Sequence, residues 1–504
     1  MTAPIPRPQA AVVGLVSAAV ALASGHLLAG VLSPRSSPLL AVGNTAIDLT
    51  PAPVKDFAIR IFGTADKSAL LIGMALVIGA LAVAGGLLSR RAPWPGVILI
   101  GAFGLLGIAA VAVRPDFAPA ALLAPLAAPV TGIWAFLTLH RAVSADEAGT
   151  RPDRRRFLTT SVSLAASAGV AGAVGAFAGS GTGADESRRL AGARIPPVTP
   201  PPPGADFTGS GGVPFLTPNR NFYRIDTALS VPQLRAEDWR LRLHGMVDRE
   251  LDLGYEDLLR RGLIIRTITL ACVSNEVGGD LISTAEFHGV PVRDLLLEAG
   301  VRPGAQQLFT TSADGFDTGT PLDVLLEADR DAMLAVGMNG EPLPFEHGFP
   351  VRMVVPGLYG YVSATKWLVD AEVTTFDRRH YWEKRGWAKQ APVKTQSRID
   401  RPRPRSSVPA GPVTVAGVAW AQHTGIDRVE VRVDGGPWRE AELATDVGRD
   451  TWRMWRVTFH LPPGQHVVEC RATDRAGRTQ TGNRQPVLPD GATGWHSVVF
   501  GCAG

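Results

Sequence analysis

Cys272 closes an apolar run, Leu263–Ala271, and opens a polar loop, Val273–Gly279, that contains two glycines. A lone cysteine is most often a buried small hydrophobe. Its place at a strand end argues for more, because reactive groups gather where a rigid strand meets a loop. Other side chains able to do chemistry flank it in the chain: Arg224 before it, and His347, Arg352, Lys366 and Tyr381 after it. Arginine offers a fixed fork of donors that suits an oxyanion, and tyrosine one donor with an ordinary pKa of about 10. Read singly, each has a plain structural explanation: an exposed ion-pair arginine, a loop histidine, a sheet-edge arginine, a surface lysine and a half-buried interface tyrosine. Cys272, Cys470 and Cys502 are the three cysteines. Three cannot build a disulfide scaffold or a cysteine-rich zinc or iron–sulfur site.

Two unlike parts position these residues. Residues 1–140 hold only 8 of the 50 Lys+Arg and 4 of the 46 Asp+Glu. That is too little charge for a soluble domain, whereas the remainder has the charge of a globular one. The formal net charge of +4 is small for 504 residues, and without a long basic run it argues against a nucleic-acid partner. Five stretches, Ala11–Leu32, Ser68–Leu88, Gly96–Val113, Phe117–Leu139 and Phe157–Ala178, contain no Asp, Glu, Lys or Arg. A bilayer needs roughly 20 such residues, so five spans are expected, the fourth kinked by Pro119, Pro125 and Pro129. Arg90–Arg91, Arg141, Arg151 and Arg154–Arg156 fall on one side. Arg35, Lys55, Arg60, Lys67 and Arg114 are spread over longer loops on the other. The positive-inside rule then places the N-terminus inside and the C-terminal part outside, at the cell membrane. Arg154-Arg155-Arg156-Phe157-Leu158 precedes a weakly hydrophobic span rich in small residues and resembles an internal twin-arginine export signal. A shared haem would need histidines at one depth. His26 and His140 lie toward opposite ends of their spans, so an anchor without a redox centre of its own is expected.

Residues 1–180 are thus read as the membrane part and 181–212 as a linker stiffened by Pro196–Pro203. A middle domain, 213–400, mixes strands (Trp239–His244, Leu263–Ala271) with short helices (Val292–Ala299, Pro321–Ala328). Frequent Pro and Gly leave much of it as loop, which suits a large buried ligand. After a proline-rich break at Arg401–Pro412, residues 413–504 alternate apolar and polar at Val413–Trp420, Ile426–Val433, Trp452–Leu461 and Gln465–Thr473. That pattern predicts an immunoglobulin-type β-sandwich. Cys470 falls on its inward face, as a free core thiol or as a partner of Cys502.

The stretch Thr269-Leu-Ala-Cys272-Val-Ser-Asn275-Glu-Val-Gly278-Gly279-Asp280 resembles the molybdenum-binding segment of the sulfite oxidase family of molybdopterin oxidoreductases. So does His347-Gly-Phe-Pro-Val-Arg352-Met-Val-Val-Pro-Gly357, continuing through Gly360 to Lys366-Trp367. Thr217-Pro-Asn-Arg-Asn221-Phe-Tyr223-Arg224 resembles the family's first cofactor-contacting segment, and Phe376–Tyr381 the one carrying its active-site tyrosine. With the sandwich, which resembles the family's C-terminal domain at Gly417–Trp420 and Val429–Trp438, the resemblance covers Val213 to about Thr481 and leaves out the membrane part.

The resemblance implies an α+β molybdopterin domain between the membrane helices and a dimerisation-type sandwich, and hence a possible homodimer. It implies a molybdenum–molybdopterin cofactor with Cys272 as metal ligand, since a soft thiolate suits that metal. Asn221, Tyr223, Asn275, Asp314, His347, Arg352, Ser363 and Lys366 would contact the cofactor, the cations facing its phosphate. Arg224 and Tyr381 would face the metal and a small oxyanion or S- or N-oxide substrate. One departure stands out: the basic pair that follows the cysteine in sulfite oxidases is replaced by Glu276-Val277, which weakens the case for sulfite. No haem or flavin domain is evident, so electrons would pass to or from a separate carrier. A non-catalytic membrane-tethered adhesion or assembly protein reusing the fold is the alternative.

Overall fold

A computed structural model of the chain describes residues 4–32, 36–50, 66–113, 119–144, 154–179 and 182–504. Arg35, Lys55, Arg60, Arg114, Phe117 and Arg151 lie outside the described residues, as do the side chains of Lys67 and Arg154. The chain forms two units: Met1–Thr182 with Ala228–Val231, and Gly183–Thr227 with Pro232–Gly504.

Among the described residues of the first unit five helices are long and apolar enough to cross a membrane: Arg7–Leu32, Ala69–Leu88, Trp94–Ala112, Pro119–Val143 and Arg155–Ala176. Large side chains such as Ile72, Leu76, Ile98 and Leu105 are exposed on them. The fourth opens with a 3-10 turn at Pro119–Leu122 and carries Pro129 inside its α-helix. Glycines let these helices touch backbone to backbone. A Cβ on Gly14 would lie 1.9 Å from the Ala82 carbonyl oxygen, and one on Gly30 2.2 Å from that of Gly175. His140 is spoken for structurally: its Nε2 bonds the Ser89 carbonyl at 2.8 Å. A further apolar helix, Pro38–Leu49, is too short to span.

The second unit opens with a helix, Thr182–Ala191, inside the stretch read as linker. Arg188 holds it down by donating to the carbonyls of Leu343 (2.8 Å) and Pro342 (2.7 Å). Two sheets follow. One orders Leu251–Gly254, Arg240–Gly245, Leu368–Thr374, Gln307–Ser312 and Asp317–Pro321. The other runs Ile264–Ala271, Ile282–Pro291, Met333–Met338, and the last strand pairs both Glu341–Pro342 and Arg352–Val354. The strands at the heart of the second sheet are buried on both faces, so they read as apolar runs rather than alternating ones. Val292–Ala299 is a helix closed by Gly300 in the left-handed region, as its C-terminal signal requires.

The C-terminal region is β-rich, with sheets of four and five strands. Its core holds Trp455, Val431, Cys470 and Phe500. Cys470 and Cys502 are both free thiols. Strand register explains why: Gly464 faces Cys502 while Cys470 faces His496, six residues further along, or roughly 20 Å. This region braces the cysteine strand. Trp452 N–H donates to Thr269 Oγ1 (2.7 Å), Thr269 N–H to the Asp450 carbonyl (2.9 Å), and Gln422 Nε2 to the Thr269 carbonyl (3.1 Å).

Candidate molybdopterin site

The Ile264–Ala271 strand delivers Cys272 to a loop closed upon itself. Cys272 N–H donates to the Leu281 carbonyl at 2.9 Å, and Asn275 N–H to the Cys272 carbonyl at 3.1 Å. Asn275 Oδ1 accepts from Leu281 N–H at 2.9 Å, so this asparagine braces the loop. Gly278 has φ +82°, and a Cβ there would strike the His496 ring at 2.3 Å. Arg398 clasps the far end by donating to the Gly279 carbonyl at 2.9 Å. Cys272 is 8% exposed. Burial pushes its thiol pKa up, against hydrogen bonds from the Ser274 backbone and side chain.

Tyr223 is close enough to Cys272 to feel its charge. Burial drives its phenol pKa up, and the Cys272 charge adds to the effect while Arg352 opposes it. A Cβ on Gly360 would sit 3.6 Å from the Tyr223 hydroxyl and 3.8 Å from the Ala271 carbonyl oxygen. Those are ordinary packing distances, and they place Gly360 beside both the Tyr223 hydroxyl and the end of the cysteine strand. On the other side His347 bonds the Asn219 carbonyl (3.0 Å) and meets Phe222 edge to face at 5.4 Å. Burial, then Arg352 and Lys366, push His347 down to about 3, so it is neutral at physiological pH.

Arg352 is the decisive side chain. It is 5% exposed, its Nη1 donates to the His347 carbonyl at 3.2 Å, and its Nε has no hydrogen-bond partner among the described residues. Burial pulls it down to about 10. Lys366 lies near, with its Nζ on Asp226 Oδ2 (3.1 Å) and the Glu346 carbonyl (3.1 Å). Burial pulls this amine to about 8, with Asp226 opposing and Arg352 adding to the fall. A buried guanidinium with an unpaired N–H beside a second buried cation is costly unless an anion arrives. A pterin phosphate would be such an anion, and the Cys272 thiol would offer its metal a soft donor. These residues therefore fit the cofactor.

The other predicted residues fall into distinct settings. Arg224 is exposed over 42% of its side chain, and its Nε donates to Asp226 Oδ2 at 2.8 Å. Asn221 is exposed at the end of a 3-10 turn. Ser363 is buried and already gives its proton to the Tyr359 (3.0 Å) and Leu358 (3.3 Å) carbonyls. Asp314 caps the Gln307–Ser312/Asp317–Pro321 hairpin through its Oδ1, which accepts from Phe316 N–H at 3.2 Å. Tyr381 stands at the same hairpin: Phe316 meets its ring at 5.9 Å, and its backbone N–H donates to Asp317. The Arg385 guanidinium covers the Tyr381 ring at 3.5 Å. Thr320 and Thr318 bond the Val362 and Tyr361 carbonyls and so fasten that hairpin to the segment leading into Ser363 and Lys366.

Sequence reasoning missed Asp226, Ser274 and Tyr359. Asp226 lies two residues beyond Arg224, on the same side of an extended chain, and that spacing was the available signal. Tyr359 carries a raised pKa, mostly from burial and partly from the Cys272 charge. Nothing in the local sequence marks it.

Comparison with known proteins supplies the family. Residues 228–382 match the oxidoreductase molybdopterin binding domain. Mitochondrial sulfite oxidase of Homo sapiens is 31% identical over 326 residues, covering 54% of this chain and 58% of that protein. Sulfite oxidase of Gallus gallus is 30% identical over 323 residues, covering 54% of this chain and 70% of that protein. The chain belongs to the sulfite oxidase family of molybdopterin oxidoreductases. A sulfane dehydrogenase, SoxCD from Paracoccus pantotrophus, shares the fold at 24% identity and TM-score 0.52, over 60% of this chain and 87% of that one. This family member spans 58% of the length of the human relative.

Proposed function

We propose that the protein is a membrane-anchored molybdenum enzyme that moves an oxygen atom to or from a small substrate outside the cytoplasm. The observation that carries this reading is the buried Arg352, its Nε without a partner among the described residues, set near Lys366 and sharing the phenol of Tyr223 with the buried thiol of Cys272. The molybdenum cofactor, when bound, supplies two-electron oxygen-atom transfer. Cys272 would hold the metal as a thiolate, the metal's positive charge offsetting the burial that otherwise keeps its proton on. Arg352 and Lys366 hold the phosphate, and neutral His347 donates or accepts without adding charge. Arg224 points donors at the substrate oxygen, and the Tyr381 phenol donates a proton or hydrogen bond to it.

For an S- or N-oxide the balance is substrate oxide plus two electrons and two protons, giving the reduced substrate and water. The electrons come from a separate carrier. Oxidation of an oxyanion such as sulfite runs the same balance in reverse. The twin-arginine-like entrance fits this reading, since such export carries folded, cofactor-loaded cargo. The C-terminal β-rich region would serve as an immunoglobulin-type dimerisation domain. The test is the full chain, purified in detergent, assayed with an artificial electron carrier over sulfite, sulfoxides and N-oxides, with molybdenum measured in parallel. About one molybdenum per chain with turnover of at least one oxide is expected. Neither metal nor turnover would sink the reading.

A further inference from the structure

Asp226 is a buried carboxylate at the junction of two cations, and no role above uses it. Its side chain is 3% exposed, and its Oδ2 takes both Lys366 Nζ at 3.1 Å and Arg224 Nε at 2.8 Å. Lys366 is itself 11% exposed, whereas the Arg224 side chain is 42% exposed. One acidic oxygen thus links a cation on the cofactor side to one that opens outward. Among the described residues, Arg224, Lys366 and Arg352 act together here with Asp226, and His347 is neutral. When the cofactor phosphate meets Arg352, the carboxylate already answers the rest of the positive charge. A second anion arriving at Arg224 would have to share the guanidinium with Asp226 at short range, with water screening only the outward face of the pair. A neutral oxide needs only a hydrogen-bond donor and meets no such opposition. Glu276, exposed on the cysteine loop, adds charge of the same sign.

We propose that Asp226 is a specificity-determining and positioning residue: it holds Arg224 by its Nε and lowers the pocket's affinity for anions, favouring neutral S- or N-oxides. This rests on the reading of the site as a molybdopterin pocket. The bond to Nε also fixes the plane of the guanidinium, so the outward nitrogens are presented as a fork.

The experiment is calorimetric titration of the molybdenum-loaded full chain in detergent with sodium sulfate, at constant ionic strength. Asp226→Asn should bind sulfate roughly tenfold more tightly than wild type, the effect of removing one close charge through partly screened protein. Asp226→Glu should restore weak binding, and Asp226→Asn combined with Arg224→Gln should return sulfate affinity to the wild-type level. In turnover, sulfate should inhibit Asp226→Asn more strongly while the Michaelis constant for a neutral sulfoxide changes little. Should the amide disturb folding, Asp226→Ser makes the same test with less bulk. Equal sulfate affinity in wild type and variant would overturn the proposal. So would loss of molybdenum from Asp226→Asn, which would make the carboxylate a support of the cofactor instead. A wild type that holds no molybdenum would sink the broader reading, a result separable from both.

Discussion

The helical unit holds a cavity of about 640 Å³, lined by residues such as Ala18, Leu70, Phe103 and Phe136. Its lining is apolar and holds no ionisable side chain, Met74 being its one sulfur-bearing side chain among the described residues. The cysteine site in the β-rich unit is defined by buried charge: a guanidinium whose Nε has no partner among the described residues, an amine held by one carboxylate, and a thiol whose charge reaches a buried phenol. An apolar cavity leaves no charge or hydrogen bond unanswered. Buried unpaired charge costs several kcal/mol and persists where a ligand answers it. The contrast teaches that uncompensated polarity, not volume, locates chemistry in this molecule.

The contrast can be broken first at Arg352. Arg352→Met keeps length and apolar packing but removes the cation. The account expects molybdenum content to fall by roughly tenfold or more, with activity falling in proportion. Full metal content by mass spectrometry would place the phosphate elsewhere.

A smaller effect is expected at Tyr381. Tyr381→Phe keeps the ring contacts with Phe316 and Arg385 and removes only the hydroxyl. Turnover should drop by about ten- to a thousandfold while metal content holds. Wild-type kinetics would leave Tyr381 as a packing residue of the hairpin.

The sequence made much of this arrangement legible, and unevenly. Val292–Ala299 was read to the residue because its apolar positions follow a helical period and Gly300 ends it. Ile426–Val433 was read to the residue because alternation marks a half-buried strand. Pro38–Leu49 escaped because a twelve-residue apolar helix gives no length signal for a span. Thr182–Ala191 escaped because contacts far along the chain hold it, such as Ser187 on Glu237 at 2.5 Å. At the site, Cys272 and Arg352 stood out through motif order. Asp226 and Tyr359 did not, since their importance comes from partners that only folding brings near.

Buried polarity also leaves a trace in pH. His380 is fully buried, and neither ring nitrogen has a partner among the described residues. Burial, then Lys384 and Arg379, pull it from 6.5 down to about 4. Between those values the unfolded chain binds a proton that the folded chain refuses, so stability falls as pH drops through that window. His380→Phe should flatten the thermal-unfolding profile there, by at most about 3 kcal/mol at the acid end. An unchanged slope would mean the ring has found a water partner. In the helical unit the expected effect on chemistry is smallest. Ala18→Phe fills part of the apolar cavity and should leave turnover within about twofold, though overpacking can cost about 1–3 kcal/mol of stability. A large loss of turnover with the fold intact would put function into that cavity after all.

The central claim is that the Cys272 sulfur binds molybdenum in the unit whose buried charge calls for a cofactor. X-ray absorption at the molybdenum edge, on the full chain and on Cys272→Ser, tests it most directly. The account predicts one fewer sulfur in the metal's first coordination shell of the variant, with turnover abolished and the pterin largely retained through Arg352 and Lys366. An identical sulfur count in both proteins would contradict it.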